Sequence, residues 1–205
     1  MPELRVPSLP DMRGHRLARA DYRKEFRTRD AAIHYKSSWK LERRQHFEEV
    51  GNASRDALRD GDLPKALRLL EGRRESLRRA VADNEARDAP FHRVRIVEEP
   101  LTPYMRWQLH SLRIRAECGD RIRVVPANEV TGYETRTRLP EVVILGGSVL
   151  YQVLYTDGGT PNGAVRYEDP AVVESWEYFI RSLYELGEDV TEFFQRKTAD
   201  LVGEL

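Results

Sequence analysis

Two adjacent carboxylates, Glu98 and Glu99, follow the apolar segment "RVRIV" and precede a helical pattern that begins near Pro103. Paired carboxylates can hold a metal ion, or divide the roles of acid and base between them. The carboxyl end of a strand, just before a helix, is also where open α/β sheets bind ligands. We therefore place a candidate site at Glu98 and Glu99. The structural alternative stays open, because anions at a helix N-terminus are stabilised by the helix dipole without any further role.

Two arginines, Arg93 and Arg95, lie on the strand that leads to these carboxylates. A spacing of two places both side chains on one face of a strand. Their planar guanidinium groups suit a phosphate or a carboxylate. They can equally pair with the acidic side chain of the neighbouring segment "KLERR", and this ion pairing is the interpretation we favour.

Further polar and aromatic residues extend this candidate site. The segment "KLERR" supplies cations and an anion on a neighbouring strand, and Trp107 lies off the apolar stripe of its helix, towards the flank near Glu98. We assign no catalytic residue, no metal ligand and no cofactor. The predicted ligand-binding residues are Lys40, Glu42, Arg43, Arg95, Glu98, Glu99, Tyr104 and Trp107.

The remaining motifs carry no specific catalytic signature. "HYK" at His34–Lys36 matches the H-x-K pattern of phospholipase-D-type enzymes only superficially, since no Asp follows at the required spacing. The histidines lack the spacing of a metal site. The paired glycines of "LGGS" and "DGGTPNG" fall between predicted strands, whereas a phosphate loop leads from a strand into a helix.

Composition limits the classes of function. The chain has 34 basic and 34 acidic side chains, and this balance argues against a general nucleic-acid or membrane binder. Residues 1–90 hold 21 basic and 16 acidic side chains, but a solvated arginine-rich face explains this excess. Cys118 is the single cysteine, which excludes an internal disulfide. Without a signal pattern or a long apolar segment, we expect a cytoplasmic protein.

The first half of the chain predicts an N-terminal arm followed by the start of one α/β domain. Residues 1–36 form the arm, with a short helix capped by Asp21 that places Tyr22 and Phe26 on one face. Residues 37–205 form the domain. It starts with a strand around Trp39 that is covered on one face, followed by a single long helix that Asp62 caps.

The second half predicts the core order β-α-β-β-β-α. Its first helix has Thr102 as N-cap and Pro103 as its first residue, and it ends before Gly119. The strand "RIRVVP" then lies parallel to the strand before the helix. A meander turns at Gly146-Gly147 and at residues 157–159, and Asp169-Pro170 starts an aromatic-rich helix. The expected fold class is α/β, with a mixed sheet and an N-terminal helix and strand extension.

Four blocks of sequence carry a resemblance to a known family. They are "WKLERRQ", "RVRIVEEPLTPYMRWQLHSLRIRAECGDRIRVV", "LPEVVILGGSVLYQVLY" and "DPAVVESWEYFIRSLYELGEDVTEFF". The chain resembles the actinobacterial domain-of-unknown-function family 6879 over nearly its whole length. The resemblance implies a small cytoplasmic protein, often encoded beside helix-turn-helix regulators, whose core is similar to half of a phospholipase-D-like fold. Where such an enzyme carries H-x-K, this chain has "LPEVVILGGS".

These observations lead to a hypothesis of function and an alternative. We expect a non-catalytic regulatory or interaction module that works with a helix-turn-helix regulator, forms a homodimer, or binds a small anionic ligand. The alternative is a phosphoester hydrolase that uses Glu98 and Glu99 with Lys40, Glu42 or Arg95. Convergence of these side chains in one pocket, with shifted pKa values, distinguishes the enzyme from the module. Direct DNA binding is the weakest hypothesis, because no recognition-helix pattern precedes the core.

Overall fold

The computed structural model describes the backbone of residues 4–202 and the side chains of residues 4–197. In this part of the chain, eight strands form one mixed sheet in the order β1-β7-β6-β5-β2-β3-β4-β8, which confirms the α/β class. The strands are β1 His15–Leu17, β2 Ser38–Glu42, β3 Phe91–Val97, β4 Arg121–Pro126, β5 Glu141–Leu145, β6 Val149–Tyr155, β7 Pro161–Tyr167 and β8 Glu188–Asp189.

Seven α-helices accompany the sheet in the described part of the chain, together with short 3₁₀ helices at Asp11–Arg13 and Ala127–Tyr133. Three helices lie between β2 and β3, and α5 joins β3 to β4. The helices are α1 Arg19–Ala31, α2 Ala53–Arg59, α3 Leu63–Glu71, α4 Arg74–Ala86, α5 Pro103–Glu117, α6 Pro170–Leu186 and α7 Val190–Val202.

The centre of the sheet combines a parallel part with an antiparallel part. β2, β3 and β4 are parallel neighbours, as predicted for the β3–α5–β4 crossover. β5 pairs antiparallel with β2 and begins the meander that β6 and β7 continue. The predicted turn between β5 and β6 is confirmed, with Gly146 and Gly147 both at positive φ, where a side chain would be strained. The carboxyl end of β2 therefore borders the antiparallel part of the sheet.

The predicted helix ends of the second half are confirmed. Thr102 caps α5, since its side-chain oxygen accepts a hydrogen bond from the Met105 amide at 3.1 Å, and Pro103 is the first helical residue. Asp169 caps α6 in the same way, through the Ala171 amide at 2.9 Å. The order of elements differs in one detail: four strands follow α5 before α6, because the meander itself contains three.

Several helix predictions for the first half were wrong. The single helix predicted after Asp62 is two helices, α3 and α4, because the chain bends at Gly72, whose helix propensity is low. Asp62 does cap α3, through the Lys65 amide at 2.9 Å. α2 was not predicted at all. α1 begins at Arg19, so the predicted cap Asp21 lies in the first turn, where its charge still suits the helix dipole.

Both faces of the sheet are covered. α6 packs its buried residues Val173, Trp176, Ile180 and Leu183 against one face, where Leu41 also lies. The opposite face is covered by α1 over the meander and by α5 and α7 over β4. The prediction that β2 is covered on one face only was therefore wrong. Its polar side remains buried because the charged residues of that side neutralise one another.

The predicted arm comprises residues 1–36, of which residues 1–3 lie outside the described part of the chain; residues 4–36 pack onto the rest of the protein. β1 pairs antiparallel with β7 and becomes the edge of the sheet. Tyr22 and Phe26 share a face of α1, as predicted, and both rings pack against Tyr151 of β6, with centroids 5.2 and 6.4 Å away. α1 thereby forms one wall of the region in which the candidate site lies.

Candidate functional site

Five charged side chains lie together on the face of the sheet that α1 and α5 cover. The parallel register places Lys40 opposite Arg93 and Glu42 opposite Arg95. The antiparallel register pairs Leu41 with Val142, which brings Glu141 beside Glu42. We call Lys40, Glu42, Arg93, Arg95 and Glu141 the charged row. A charged row under two helices is stable only if its charges are paired or hydrogen-bonded.

Glu42 is the best-neutralised member of the charged row. Its carboxylate lies 2.6 Å from the Lys40 ammonium and 3.0 Å from the Arg93 guanidinium. Burial alone would raise the pKa of Glu42, but Arg93, Lys40 and Arg95 outweigh this effect and hold the pKa well below its ordinary value. The favoured interpretation, that Arg93 and Arg95 pair with the acidic side chain of "KLERR", is confirmed for Arg93. It is wrong for Arg95, which donates to the backbone carbonyl of Glu42. Glu42 therefore stays ionised, and its two cationic neighbours, Lys40 and Arg93, are both paired with it.

Arg95 is fully buried, and its guanidinium forms hydrogen bonds with groups inside the protein. Its guanidinium donates to the Gln108 side-chain oxygen at 2.8 Å, to the Glu42 carbonyl at 3.0 Å, and to the Ile96 and Arg44 carbonyls. Burial lowers the pKa of Arg95, and the nearby carboxylates oppose this effect. The side chain holds the segment after β2 against β3 and α5. The structure therefore places this predicted ligand-binding residue away from any open surface.

Glu141 at the start of β5 is the member of the charged row that the sequence analysis missed. One carboxyl oxygen, Oε1, accepts the backbone amides of Arg43 and Arg44 at 2.8 and 2.6 Å. The other, Oε2, is buried and receives no hydrogen bond from the described residues. Burial, followed by the repulsion of Glu42, raises the pKa of Glu141 to about 6. A charged residue at the head of the apolar strand "EVVIL" was the available signal.

Arg43 organises the carboxyl end of β2. Its guanidinium forms a two-pronged contact with Glu134, with distances of 2.6 and 2.8 Å, and a third contact with Glu98 at 2.7 Å. Arg138 also reaches Glu98, at 3.2 Å. The pKa of Glu134 is held low by Arg43 against the opposing effect of burial. Arg43 and Glu98, both predicted site residues, are therefore brought together.

Glu98 and Glu99 are not brought together in one pocket, although they follow β3 as predicted. The Glu98 carboxylate turns towards Arg43 and Arg138. The Glu99 carboxylate turns towards α7 and pairs with Lys197 at 2.7 Å. Each of the two carboxylates therefore has its own cationic partner.

Tyr104 and Trp107 are buried in the apolar cluster that includes residues of α2 and α3. The Tyr104 hydroxyl donates to Glu49 at 2.9 Å, and the Trp107 indole donates to the Ser54 hydroxyl at 2.9 Å. Both rings belong to the apolar cluster that holds α2, α3 and α5 together. These two predicted ligand-binding residues have internal partners.

Two adjoining cavities lie beside the charged row. The outer cavity has a volume of about 460 Å³ and is lined by Arg43, Arg44, Gln45, His46, residues 138–141 and residues 152–155. The inner cavity has a volume of about 230 Å³ and lies beneath α1; its lining includes Arg19, Tyr22, Arg23, Lys40, Glu141 and Tyr155. Glu141, Val153 and Tyr155 line both cavities. Glu141 thus stands at the junction of the two.

Most of the charged groups that line the outer cavity are cations, namely the three arginines Arg43, Arg44 and Arg138, against the one carboxyl of Glu141. Arg44 donates to the carbonyls of Thr156 and Asp157, while its Nε is buried without a hydrogen-bond partner in the described residues. The Arg138 side chain is 67% exposed. Burial, followed by the neighbouring arginines, lowers the pKa of His46. Burial, followed by nearby Glu42 and Glu141, raises the pKa of Tyr155, so its hydroxyl stays protonated as a donor.

The other sequence motifs lie outside this site. His34 and Lys36 are exposed in the connection between α1 and β2. Among the residues described, no group of three or more His, Cys, Asp or Glu side chains could hold a metal ion. Across residues 4–202, no helix has the length and apolar character needed to span a membrane.

A comparison with known families finds one match of wide coverage. The profile of a family described as "Domain of unknown function (DUF6879)" matches residues 25–195, which is well over half of the chain. The matched region includes strands β2 to β8. It therefore contains every residue of the charged row and the strand residues that line the two cavities. No curated protein matches the sequence.

Replacing Arg95 tests whether the buried guanidinium anchors the segment after β2. In Arg95→Met, the carbonyls of Glu42 and Arg44 and the side chain of Gln108 lose their donor, and the charged row loses a cation. We expect the free energy of unfolding to fall by about 3–5 kcal/mol. Urea denaturation measures this change. The control Arg79→Met removes an exposed pair with Glu75 and should change stability by less than about 1 kcal/mol. Equal effects of the two substitutions would contradict the anchoring role.

Replacing Glu141 tests its raised pKa through stability. The pKa is about 6 in the folded protein against 4.5 as the ordinary value, so the folded state binds more protons between these pH values. Stability of the unmodified protein therefore falls as pH rises through this window, by about 2 kcal/mol in total. Glu141→Gln cannot ionise and should escape this loss. Its stability relative to the unmodified protein should rise by about 2 kcal/mol between about pH 4.5 and pH 7.5.

The control for this measurement is Glu75→Gln, whose side chain is exposed. Its stability relative to the unmodified protein should vary little over the same range of pH. Denaturant titrations at several pH values provide the comparison. A Glu141→Gln difference that stays constant with pH would show that the carboxyl titrates normally.

Proposed function

The chain belongs to the DUF6879 family, and from that premise we propose that it is a non-catalytic ligand-binding module that recognises a small anion in the outer cavity. We further propose that it acts in a regulatory setting, together with a partner protein. The observation that best supports this proposal is the cavity of about 460 Å³, whose lining includes arginines. One of their guanidinium nitrogens, Nε of Arg44, has no hydrogen-bond partner in the described residues.

The size and position of the outer cavity support this proposal. Small-molecule sites commonly have volumes of about 300–1,000 Å³ and lie outside the carboxyl ends of parallel strands. The outer cavity lies at the carboxyl end of β2, where the parallel and antiparallel parts of the sheet meet. The module then needs no movement of its core to expose a site.

The charges of the cavity support an anionic ligand. Arg43 is committed to Glu134 and Glu98, so it fixes the shape of the cavity. Arg44 offers its Nε, and Arg138 is largely exposed at the rim. Guanidinium groups bind carboxylates and phosphates through directed, charge-assisted hydrogen bonds. We therefore propose Arg44 and Arg138 as the anion-binding residues.

The arrangement of acidic groups supports recognition in preference to reaction. An acid and base pair built from Glu98 and Glu99 needs both carboxylates on one substrate, and they turn to different partners. Glu42 is held between Lys40 and Arg93. One observation favours the alternative phosphoester hydrolase: Glu98 lies between two guanidinium groups near the outer cavity, where a phosphate group would find both cations and a carboxylate.

The partner and the compartment are proposals that rest on sequence resemblance. A core similar to half of a phospholipase-D-like fold, with no H-x-K on the strands after the crossover, suits a non-catalytic effector domain. We propose a helix-turn-helix regulator or a second copy of this chain as partner, in the cytoplasm of an actinobacterium. Binding of the anion would then change the affinity of the module for its partner.

Anion binding through Arg138 can be measured by thermal unfolding with inorganic phosphate, sulfate or glutarate. A ligand at about 100 times its Kd should stabilise the unmodified protein by about 2.7 kcal/mol. Arg138→Ala should raise the Kd about tenfold, because a charge-assisted hydrogen bond is lost. The matched control Arg136→Ala removes an exposed arginine of the same loop that does not line the cavity, and it should leave the Kd nearly unchanged.

Two results would contradict this proposal. Equal effects of Arg138→Ala and Arg136→Ala would show that anions bind through general surface charge. Hydrolysis of p-nitrophenyl phosphate that Glu98→Gln abolishes would favour the hydrolase.

The partner proposal is tested by measuring mass in solution. Purified protein is passed through size-exclusion chromatography with light scattering, alone and mixed with any helix-turn-helix regulator whose gene adjoins its own. We expect either a dimer of this chain or a complex with the regulator, with an affinity that changes when a binding anion is added. A monomer under every condition, at the highest concentration that stays soluble, would rule out both partners.

A further inference from the structure

The ligand has to meet a second requirement besides its negative charge, and this requirement comes from the carboxyl oxygen of Glu141 that lacks a hydrogen-bond donor. Oε1 is saturated by the amides of Arg43 and Arg44, while Oε2 is buried and accepts nothing from the described residues. A buried carboxyl oxygen without a donor is unfavourable, because it has lost its hydrogen bonds to water. Glu141 lines both cavities, so a molecule bound in either cavity lies beside the residue whose carboxyl oxygen lacks a donor.

The cations of the charged row do not fill this position. Lys40 and Arg93 bind Glu42, and Arg95 donates to backbone carbonyls and to Gln108. Their donors are thus directed at other acceptors. The missing donor is therefore expected from a ligand.

We infer that the ligand is a small zwitterion, whose anionic group binds Arg44 and Arg138 while its primary ammonium group donates to Oε2 of Glu141. This inference rests on the proposed function and narrows it to a class of ligands: amino acids, amino phosphates and similar molecules. An ammonium suits the position better than a hydroxyl, because a charge-assisted hydrogen bond to a buried carboxylate is roughly twice as strong as a neutral one.

The charge balance of the site agrees with a zwitterion. A plain anion that enters the outer cavity lies near Glu141, whose ionised form repels it. An ammonium group removes that repulsion and favours the ionised carboxyl. Because the pKa of Glu141 is about 6, the two kinds of ligand should move protons in opposite directions near that pH. A plain anion should cause proton uptake, and a zwitterion should cause proton release.

Matched ligands test the inference by isothermal titration calorimetry. One set is ethyl phosphate, 2-hydroxyethyl phosphate and phosphoethanolamine; the other is glutarate, 2-hydroxyglutarate and glutamate. We expect the ammonium member of at least one set to bind about tenfold more tightly than its plain and hydroxylated counterparts. In Glu141→Gln this preference should disappear, while the plain anion should bind at least as tightly as it does to the unmodified protein, because the carboxylate that repels it is gone.

Titrations of the carboxylate set near pH 6, in buffers with different ionisation enthalpies, give a readout that needs no variant. The phosphate set is left out of this readout because phosphate monoesters themselves titrate near pH 6. Zwitterion binding should release up to about half a proton, and plain-anion binding should take protons up. Plain anions that bind through Arg138 as tightly as zwitterions would overturn this inference and leave the proposed function standing. An ammonium preference that survives in Glu141→Gln would also overturn it. If none of the six ligands binds, the proposed function fails, and the inference fails with it.

Discussion

The burial of charge at the centre of the sheet is the constraint on which the rest of this structure depends. β2, β3 and β5 place Lys40, Glu42, Arg93, Arg95 and Glu141 on one face, which the flanking helices cover. Such groups are tolerated only when they find partners. Glu42 finds two cations, and Arg95 finds carbonyl oxygens and Gln108. These contacts position the segment after β2, and that segment supplies the amides that hold Glu141.

The properties of Glu141 follow from this arrangement. Its neighbour Glu42 is a permanent anion, and burial removes water from the carboxyl, so both effects raise the pKa of Glu141. Two adjacent carboxylates are thereby given opposite pKa shifts by their surroundings, one low and one high. Such a split often separates a structural group from a functional one. Here it separates Glu42, which stabilises the sheet, from Glu141, which faces two cavities.

Much of the fold could be predicted from the sequence because local signals were strong. Thr102-Pro103, Asp169-Pro170 and Gly146-Gly147 each specify their element through backbone chemistry that acts over a few residues. The break between α3 and α4 was missed because its apolar pattern continues across Gly72. Among the site residues, the pairing of Arg93 with Glu42 followed from strand spacing. The role of Glu141 could not be predicted from strand spacing. This role depends on which strand lies beside β2, and the sequence carries no local signal for a strand pairing that spans about a hundred residues.

The most direct measurement is a titration of the Glu141 and Glu42 side-chain carboxyls by carbon-13 NMR in the free protein. If Glu42 is neutralised by its cations and Glu141 faces an open position, the Glu141 resonance titrates with a midpoint near pH 6, while Glu42 stays ionised well below its ordinary pKa. A Glu141 midpoint at the ordinary value for a glutamate would contradict this structure of the site, because the carboxyl would then be solvated or paired.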